Sequence, residues 1–527
     1  MKRTLFINGH IHTMAREGDK AQAMAVCGHC IEATGSNEAI GALPADEVVD
    51  LGGNTVLPGF IDTHMHAGMY AGSLAMADLR GAASIGELLS TLLSKAEQTP
   101  PGQWVLGAGF DQERLKEKRF PTRLELDGVS TEHPIFISRC CLHSHVANSM
   151  ALRLAGITGE TAAQIAGTVA TDAAGQPTGL LLEYAAQPVQ RHIPLAPADR
   201  GQSLRQLKAI CREFSSVGIT SATTIAVADI AENFGLYQDL AKSGQLTVRF
   251  NIATDKLPPC GIQTGLGDDM VKYGFFKKVC DGALGSRTAA LYAPYADDES
   301  TSGILNYTQE RLNDIVETAH NAGLQVGLHA IGDRGLDAVL TAIENAWQKN
   351  PRPDPRFRVI HASVVNEELL TRMARLPLLV DVQPKFLSSD MAWIESRLGQ
   401  QRAAQAFRFR TMTDRGLLLC GGSDLPVEPC NPFLGIAAAV TRQTLEGWPR
   451  GGWHPEERLS VYEAVALYTR NAAYASFEEN RKGTLEAGKL ADFQVLDRDP
   501  FAIEAHMIAH TVVEQTYLDG RPVYTSS

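Results

Sequence analysis

The stretch VLPGFIDTHMH, residues 56–66, decides how the rest of this chain is interpreted. Its apolar run contains Pro-Gly near its start and closes on His-x-His, a pattern that predicts a short buried strand. Alternate residues of a strand share a face, so His64 and His66 are expected to point the same way. Imidazole is the commonest metal ligand, and the pair therefore suggests half of a metal site. The alternative is two histidines that are merely hydrogen-bonded at a strand end.

Length and charge narrow the class of protein. A chain of 527 residues exceeds the usual size of one domain, so we expect a large domain with a satellite or an insertion. The formal net charge of -12 argues against nucleic acid and against an anionic membrane as partners. We therefore expect a small-molecule substrate, with assembly into a homo-oligomer left open.

The cysteines and the N-terminus indicate a cytoplasmic protein. The nine cysteines are odd in number and scattered, which argues against a disulfide framework. The first apolar run is too short for a signal peptide, and no window approaches the length of a membrane span. Cys27 and Cys30 match a redox spacing but lie in an alternating strand pattern, and we interpret the adjacent Cys140 and Cys141 as small buried hydrophobic residues.

From about residue 205 onward, apolar strands alternate with helical patterns. Together with the opening strand they make eight, the others being 219–225, 247–254, 275–281, 324–331, 357–363, 378–386 and 416–424. Nearly continuous apolar strands that alternate with helices predict a parallel sheet, whose closed form is a (β/α)₈ TIM barrel. We expect the barrel over residues 56–481, a small β-sandwich domain built from 1–55 and 482–527, and a large insertion, 69–205, that acts as a lid.

Polar residues follow several of these strands at their carboxyl ends, where the strands of a barrel converge on one face. They are His64, His66, Lys277, His329, His361 and Asp424. Each of them alone could be a hydrogen-bonded strand-end residue, but their joint placement favours a metal centre. Lys278 is a rival to Lys277; strand alternation puts Lys277 on the same face as Asp281 and favours it.

Several motifs resemble the metal-dependent amidohydrolase superfamily. They are PGFIDTHMH at 58–66, His329, His361 and Gly-Ser-Asp at 422–424, in that order. Finer features resemble its long-chain branch that includes N-substituted formamide deformylase: Arg139 with His143 and Asn148-Ser149, GLLLE at 179–183, DGALGSRTA at 281–289 and HAIGD at 329–333. The resemblance covers nearly the whole chain, including 483–495, which resembles the return into the small β domain.

The resemblance implies a set of metal ligands. His64 and His66 would hold one divalent ion, completed by Asp424, and His329 and His361 would hold a second. Lys277 would bridge the two as a carbamate, since addition of CO₂ turns its amine into a carboxylate-like anion. Zinc suits these ligands first, with manganese or iron as alternatives. A site with fewer ions and an uncarboxylated lysine stays open.

The implied reaction is hydrolysis of a non-peptide C–N bond, such as an amide, N-acyl or N-formyl bond, by metal-activated hydroxide. Asp424 would act as general acid and base, and His329 or the second metal would polarise the carbonyl. An esterase, lactonase or phosphotriesterase could use the same site, whereas a non-enzymatic sensor would be expected to lack a ligand.

Substrate selection must come from other residues. The candidates for substrate contact are Tyr70, Arg139, His143, Glu183 and Arg287. For Arg139 and Arg287 a structural ion pair is an equal alternative. We expect His145 to be a surface or loop residue and Gln383 to lie near the mouth of the site.

Overall fold

A computed structural model describes residues 2–194, 200–226 and 230–526 of the chain. Its centre is a sheet of eight parallel strands in the order in which they occur along the chain. These are β1 (Phe60–Met65), β2 (Ile219–Ala226), β3 (Arg249–Thr254), β4 (Val271–Val279), β5 (Val326–Ala330), β6 (Phe357–His361), β7 (Leu378–Val382) and β8 (Leu419–Gly421). The predicted (β/α)₈ barrel is thereby confirmed.

The first and last strands meet closely enough to close the barrel. The backbone N–H of Asp424 donates to the carbonyl of His64 at 2.7 Å. A Cβ built on Gly422 would lie 2.8 Å from the backbone nitrogen of His64, so only glycine permits this approach. The seam of the barrel therefore lies directly beneath the residues predicted to bind metal.

Helices cover the outside of the barrel. Within the described residues they are Arg200–Ser216, Ile230–Lys242, Gln309–Asn321, Asp333–Lys349, Glu367–Met373, Pro384–Asp390, Ile394–Ala403, Phe409–Asp414, Pro432–Thr441, Val461–Leu467 and Arg470–Ala475. Asp333–Lys349 shows why such segments pack: Leu336, Leu340 and Ile343 recur at a spacing of three or four and are all buried. Within the described residues, no helix is long and apolar enough to cross a membrane.

The opening stretch forms two strands instead of the single strand predicted. Thr55–Pro58 pairs with Phe493–Leu496 in a sheet outside the barrel, and β1 starts only at Phe60. Gly59 makes the break, because a Cβ there would lie 2.2 Å from the hydroxyl of Thr220. The predictions for two further strands were too long: a helix starts at Pro384, directly after β7, and β8 ends at Gly421.

Two sheets from the two ends of the chain pack together beside the barrel. The four-stranded sheet contains Cys30–Gly35, Ala23–Cys27, Arg3–Ile7 and Glu47–Asp50; Asn37–Gly41 is a short helix beside it. The six-stranded sheet contains Arg521–Thr525, Val513–Leu518, Phe493–Leu496, Thr55–Pro58, His10–His12 and Lys20–Ala21. Their shared core includes Phe6, Met24 and Val56 from the N-terminal part and Phe493 and Tyr517 from the C-terminal part.

The long segment after β1 begins with the helix Ala67–Ser73 and forms a third sheet of six strands. In sheet order these are Thr168–Thr171, Pro177–Leu182, Ser144–Ala147, Ile135–Arg139, Val105–Phe110 and Ala77–Asp78. The helices Ile85–Glu97, Arg123–Asp127, Ser149–Leu154 and Gln187–Gln190 accompany it. This insertion has apolar cores of its own, one of which includes Leu88, Val105 and Ile137.

Two buried charge networks join the C-terminal part of the chain to the starts of the barrel strands. Arg249 of β3 binds both carboxylate oxygens of Asp492, at 2.7 and 2.9 Å, and also Asp519 at 2.6 Å. Glu478 accepts from Lys272 at 2.6 Å and from Asn251 at 3.0 Å. Lys482 lies 2.9 Å from the same carboxylate. The contacts of Arg249, Lys272 and Asn251 bridge the barrel and the C-terminal segment, whereas the pair of Lys482 and Glu478 lies within that segment.

Glu478 gives a testable dependence of stability on pH. Burial opposes its charged form, but the ammonium groups of Lys482 and Lys272 outweigh burial and lower the pKa of Glu478 to about 2 from 4.5. A carboxyl whose pKa is lowered in the folded state stabilises it above the unfolded pKa, by about 3 kcal/mol here, and this is lost as the pH falls from 4.5 toward 2. Glu478→Gln removes the contribution.

Urea unfolding of the wild type and of Glu478→Gln between pH 7 and pH 3 measures this contribution. We expect the wild type to be more stable at pH 7 and the difference to shrink steadily below pH 4.5. A difference that stays constant with pH would contradict the role given to the carboxylate.

Candidate metal centre

The residues predicted to bind metal lie together at the carboxyl ends of the barrel strands. His64 and His66 come from the end of β1, Lys277 from β4, His329 from β5 and His361 from the end of β6. Asp424 follows β8 by three residues. All six line one cavity of about 250 Å³.

Five of the side chains converge on almost one point. The Nε2 atoms of His64 and His66 lie 3.2 and 3.3 Å from Oδ1 of Asp424. Nζ of Lys277 lies 3.3 Å from Nε2 of His64. Among the described residues, the ligand atoms of His64, His361 and Asp424 form a group within 4.8 Å of one another. His361 therefore reaches the cluster formed by the first pair.

The other predicted pair lies beside this cluster. The ring centroids of His329 and His361 are 4.4 Å apart. Nε2 of His329 contacts the carbonyl of Gly282 at 3.1 Å, and Nδ1 of His361 contacts Oε1 of Gln383 at 2.5 Å. A carbonyl-type oxygen can only accept, so each of these nitrogens carries the proton and the other ring nitrogen is free to act as a ligand.

Two of the candidate ligands have an unfavourable backbone conformation. His361 has a φ of 77° and Asp424 a φ of 56°, in the left-handed region that residues with a Cβ rarely adopt. Such a conformation costs on the order of 1–3 kcal/mol and persists where the surrounding structure enforces it, often at functional sites. Here it directs both side chains to the common point.

The protonation states suit metal binding at neutral pH. Burial, with the nearby Lys277, lowers the pKa of His64 to about 3, and burial lowers the pKa of His361 well below 6.5. Burial would raise the pKa of Asp424, but the imidazoles of His64 and His66 outweigh burial and hold it well below 3.8. Metal ligands must be deprotonated, and each of these three pKa shifts favours the deprotonated form.

The residues present fit a divalent metal ion. Oδ1 of Asp424 is buried and has no hydrogen-bond partner, although two imidazole nitrogens face it. Tetrahedral bonds of about 2.0–2.1 Å place neighbouring ligand atoms roughly 3.3 Å apart, which matches the spacing of these atoms. An ion at this point would satisfy this buried oxygen together with the Nε2 atoms of His64 and His66 that face it.

The insertion supplies part of the cavity wall. Nδ1 of His143 contacts Glu183 at 2.9 Å, and the ring of His143 lies 5.1 Å from that of His329. Burial would lower the pKa of His143, but the carboxylate of Glu183 outweighs it and raises that pKa to about 9. His143 and Glu183, two of the five predicted substrate contacts, thus face the candidate metal ligands.

The other three predicted substrate contacts lie outside the described lining of the cavity. Tyr70 donates to Glu213 at 2.9 Å, and Arg139 binds Asp111 at 2.6 Å. Arg287 binds Asp297 through two nitrogens, both at 3.0 Å. For the two arginines, these contacts fit the alternative given in the sequence analysis, which was a structural ion pair.

Sequence reasoning missed several residues of the wall. His145 was expected at the surface, but it is buried in the strand Ser144–Ala147, stacks on Phe136 and lines the cavity. Cys141 packs against the apolar core as expected, but it is only half-buried and also lines the cavity. The alternating pattern of 144–147 was the available signal for His145. Further wall residues without a sequence signal are Tyr184, Gln187, Gln190, Asp255 and Asn306.

Gln383, predicted near the mouth of the site, is buried and orients His361 by accepting a hydrogen bond from its Nδ1. Replacing it with leucine removes the acceptor that fixes the tautomer of His361. Loss of such a supporting hydrogen bond typically weakens metal binding by 10–100-fold, and we expect Gln383→Leu to do so. Metal affinity can be measured by competition with a chelator, with Gln309→Leu, on the helix Gln309–Asn321, as the matched control. Equal affinity in the two variants would contradict this role.

A family model described as the amidohydrolase family matches residues 47–524. The chain belongs to the amidohydrolase family. This amidohydrolase is 33% identical over 536 residues to YtcJ of Bacillus subtilis (strain 168), which is named as an amidohydrolase, with 100% of both chains covered. It is 30% identical over 550 residues to N-substituted formamide deformylase of Arthrobacter pascens, covering 99% of this chain and 98% of the relative.

A solved structure supports the same assignment. An uncharacterized metal-dependent hydrolase from Pyrococcus horikoshii OT3 superimposes with a TM-score of 0.76 at 30% identity. The match covers 96% of this chain and 99% of that one. The protein is thus a metal-dependent hydrolase of the amidohydrolase family, and the predicted resemblance is confirmed.

Proposed function

We propose that this amidohydrolase hydrolyses a non-peptide C–N bond, such as an amide, N-acyl or N-formyl bond, of a small molecule. The observation that carries the proposal is the convergence of His64, His361 and Asp424 on one point in a cavity. The relative named N-substituted formamide deformylase supports the bond type. A cytoplasmic location, supported by nine free cysteines, belongs to the proposal.

The proposed cofactor is a divalent metal, zinc first, bound as one or two ions. His64, His66 and Asp424 would hold the first ion and His329 and His361 the second, with Lys277 between them. When bound, the metal would lower the pKa of water from 15.7 toward about 7 and polarise the substrate carbonyl.

Asp424 is proposed to move the proton. Its carboxylate is held ionised and lies at the centre of the ligand cluster, so it can accept a proton from the attacking water. The protonated carboxyl group of Asp424 can then donate that proton to the leaving nitrogen, which departs as a neutral amine. His329, whose Nε2 donates to the carbonyl of Gly282, would contribute to polarising the scissile carbonyl by helping to hold the second ion.

Lys277 is proposed to carry a carbamate. It is buried, points into the cluster and lies 3.3 Å from Nε2 of His64, whereas Lys278 donates to the main-chain carbonyl of Asp255. Its neutral amine would add to CO₂ with loss of one proton, giving an anion that can bridge two cations. The contact with His64 supports Lys277 over Lys278.

The wall opposite the ligands is proposed to select the substrate. His143 and Glu183 reach the cavity from the insertion, which we propose acts as its cover over 69–205. We also propose that residues 1–55 and 482–527 form the small β domain and that residues 56–481 form the barrel domain. Tyr70, Arg139 and Arg287 would act on substrate only through residues that they support.

A substrate panel tests the function. Metal-loaded protein would be assayed against N-formyl amines, N-acyl amines, esters, lactones and phosphotriesters, with Asp424→Asn as the inactive reference. We expect turnover of N-formyl or N-acyl compounds that exceeds turnover of the other classes. Preference for esters, lactones or phosphotriesters would contradict this proposal. It would favour the second candidate, an esterase, lactonase or phosphotriesterase that uses the same ligands.

A further inference from the structure

A network of charges, here named the clasp, joins the insertion to the barrel; of its members only Arg139 and Arg397 are buried. The clasp consists of three arginines and three carboxylates: Arg139, Arg287, Arg397, Asp111, Glu113 and Asp297. Asp111, Glu113 and Arg139 belong to the insertion, Arg287 and Asp297 to the loop after β4, and Arg397 to the helix Ile394–Ala403. The charges balance.

Arg397 lies where three parts of the chain meet. One of its terminal nitrogens donates to Glu113 and the other to Asp297. Asp297, in the loop after β4, also binds Arg287, so two arginines contact this one carboxylate. The side chain of Arg397 is only 3% exposed, whereas those of Glu113 and Asp297 are 20% and 23% exposed.

The clasp grips one end of the loop after β4. Gln112, which follows Asp111, donates to the carbonyl of Gly285 at 3.0 Å. A Cβ built on Gly285 would lie 2.6 Å from Nη2 of Arg139, which itself binds Asp111 at 2.6 Å. A side chain at this position would therefore force the guanidinium of Arg139 to shift.

The same end of this loop also touches the candidate cavity, at Gly282. The carbonyl of Gly282 contacts Nε2 of His329 at 3.1 Å. A Cβ built on Gly282 would lie 2.2 Å from Oε1 of Glu183, which holds His143. The loop thus lies between the clasp and the pair formed by His143 and Glu183.

We propose that Arg397 is a positioning residue for the reaction. Arg397 does not line the cavity; through the clasp it holds the insertion against the loop after β4, and so places His143 and Glu183 opposite His329. Arg139 contributes from the insertion side, since His143 follows it by four residues. The inference rests on the proposed function, because it gives the pair a role in substrate binding.

The matched comparison is Arg397→Met against Arg402→Met. Arg402 lies on the same helix and holds the same loop, at the main-chain carbonyls of Ala293 and Pro294 at 3.0 and 2.7 Å, but it is not one of the clasp residues, so it controls for loss of a loop contact. A misplacement of about 1 Å can cost 10²-fold, so we expect Arg397→Met to lower kcat/KM by about 10–100-fold, mainly through KM. Bound metal per chain should not change, and Arg402→Met should keep wild-type kinetics.

Hydrogen–deuterium exchange provides a second readout that needs no substrate. Arg397→Met should speed exchange in 140–147 and 282–288, far from the substitution in sequence, and Arg402→Met should not. If the wild type hydrolysed no compound of the panel, the proposed function would fail and exchange alone would decide the positioning role. Faster exchange confined to 394–403, or kinetics equal to Arg402→Met, would overturn the inference.

A second variant covers the case in which Arg397→Met does not fold. Gly285→Ala keeps all six charges and adds one methyl group where Arg139 now lies. It should reproduce the rise in KM and the faster exchange of 140–147. A folded Gly285→Ala with wild-type KM and exchange would count against the clasp.

Discussion

Asp424→Asn is expected to lower kcat/KM for the preferred substrate by at least about 10³-fold, which corresponds to roughly 4 kcal/mol of transition-state stabilisation. Asparagine keeps the shape of the side chain but cannot accept the proton of water, and it weakens a ligand that faces both His64 and His66. The assay would use the panel substrate with the highest turnover.

Asp414→Asn is the control for this variant. The same chemical change is made there on a side chain that is 61% exposed and paired with Arg410 at the surface. We expect unchanged kinetics in the control. Activity within tenfold of the wild type in Asp424→Asn would show that another group moves the proton.

The largest effect on stability is expected from Asp381→Leu. Asp381 and Arg358 form a fully buried pair, with nitrogen to oxygen distances of 2.6 and 2.7 Å, and Arg358 also donates to the carbonyl of Thr63 at 2.9 Å. Removing the carboxylate leaves a buried guanidinium without its counter-charge, which costs about 3–5 kcal/mol. Urea unfolding measures the loss.

The double variant Arg358→Met with Asp381→Leu tests whether the unpaired charge or altered packing causes the loss of stability. Apolar residues of similar volume often replace a buried ion pair without loss, so the double variant should regain most of the stability. A double variant as unstable as Asp381→Leu would mean that packing, and not the unpaired charge, causes the loss.

The parts of the fold that follow from local pattern were predictable. Alternation of apolar strands with helices gives the barrel, because each strand buried on both faces leaves a nearly continuous apolar run. The same logic could not show that Pro58 and Phe60 belong to different sheets, since both strands are buried and their apolar runs join. The break at Gly59 depends on Thr220, a residue distant in sequence.

The candidate site divides in the same way. The ligand candidates could be predicted because they follow barrel strands, and barrel geometry brings strand ends together. The roles of Arg139 and Arg287 could not, because their partners Asp111 and Asp297 are identified only by the packing of the insertion. Wall residues such as Gln187 and Asp255 follow no periodic pattern. Only the folded structure shows that they line the cavity.

The measurement that tests the central claim most directly is the amount of bound metal per chain, determined by elemental analysis of the wild type and of Lys277→Ala. Two divalent ions per wild-type chain are expected, with a lower content in Lys277→Ala, because Lys277 lies 3.3 Å from Nε2 of His64 and is proposed to bridge the two ions. One ion or none in the wild type, unchanged in Lys277→Ala, would contradict the bridged site and leave Lys277 a structural residue.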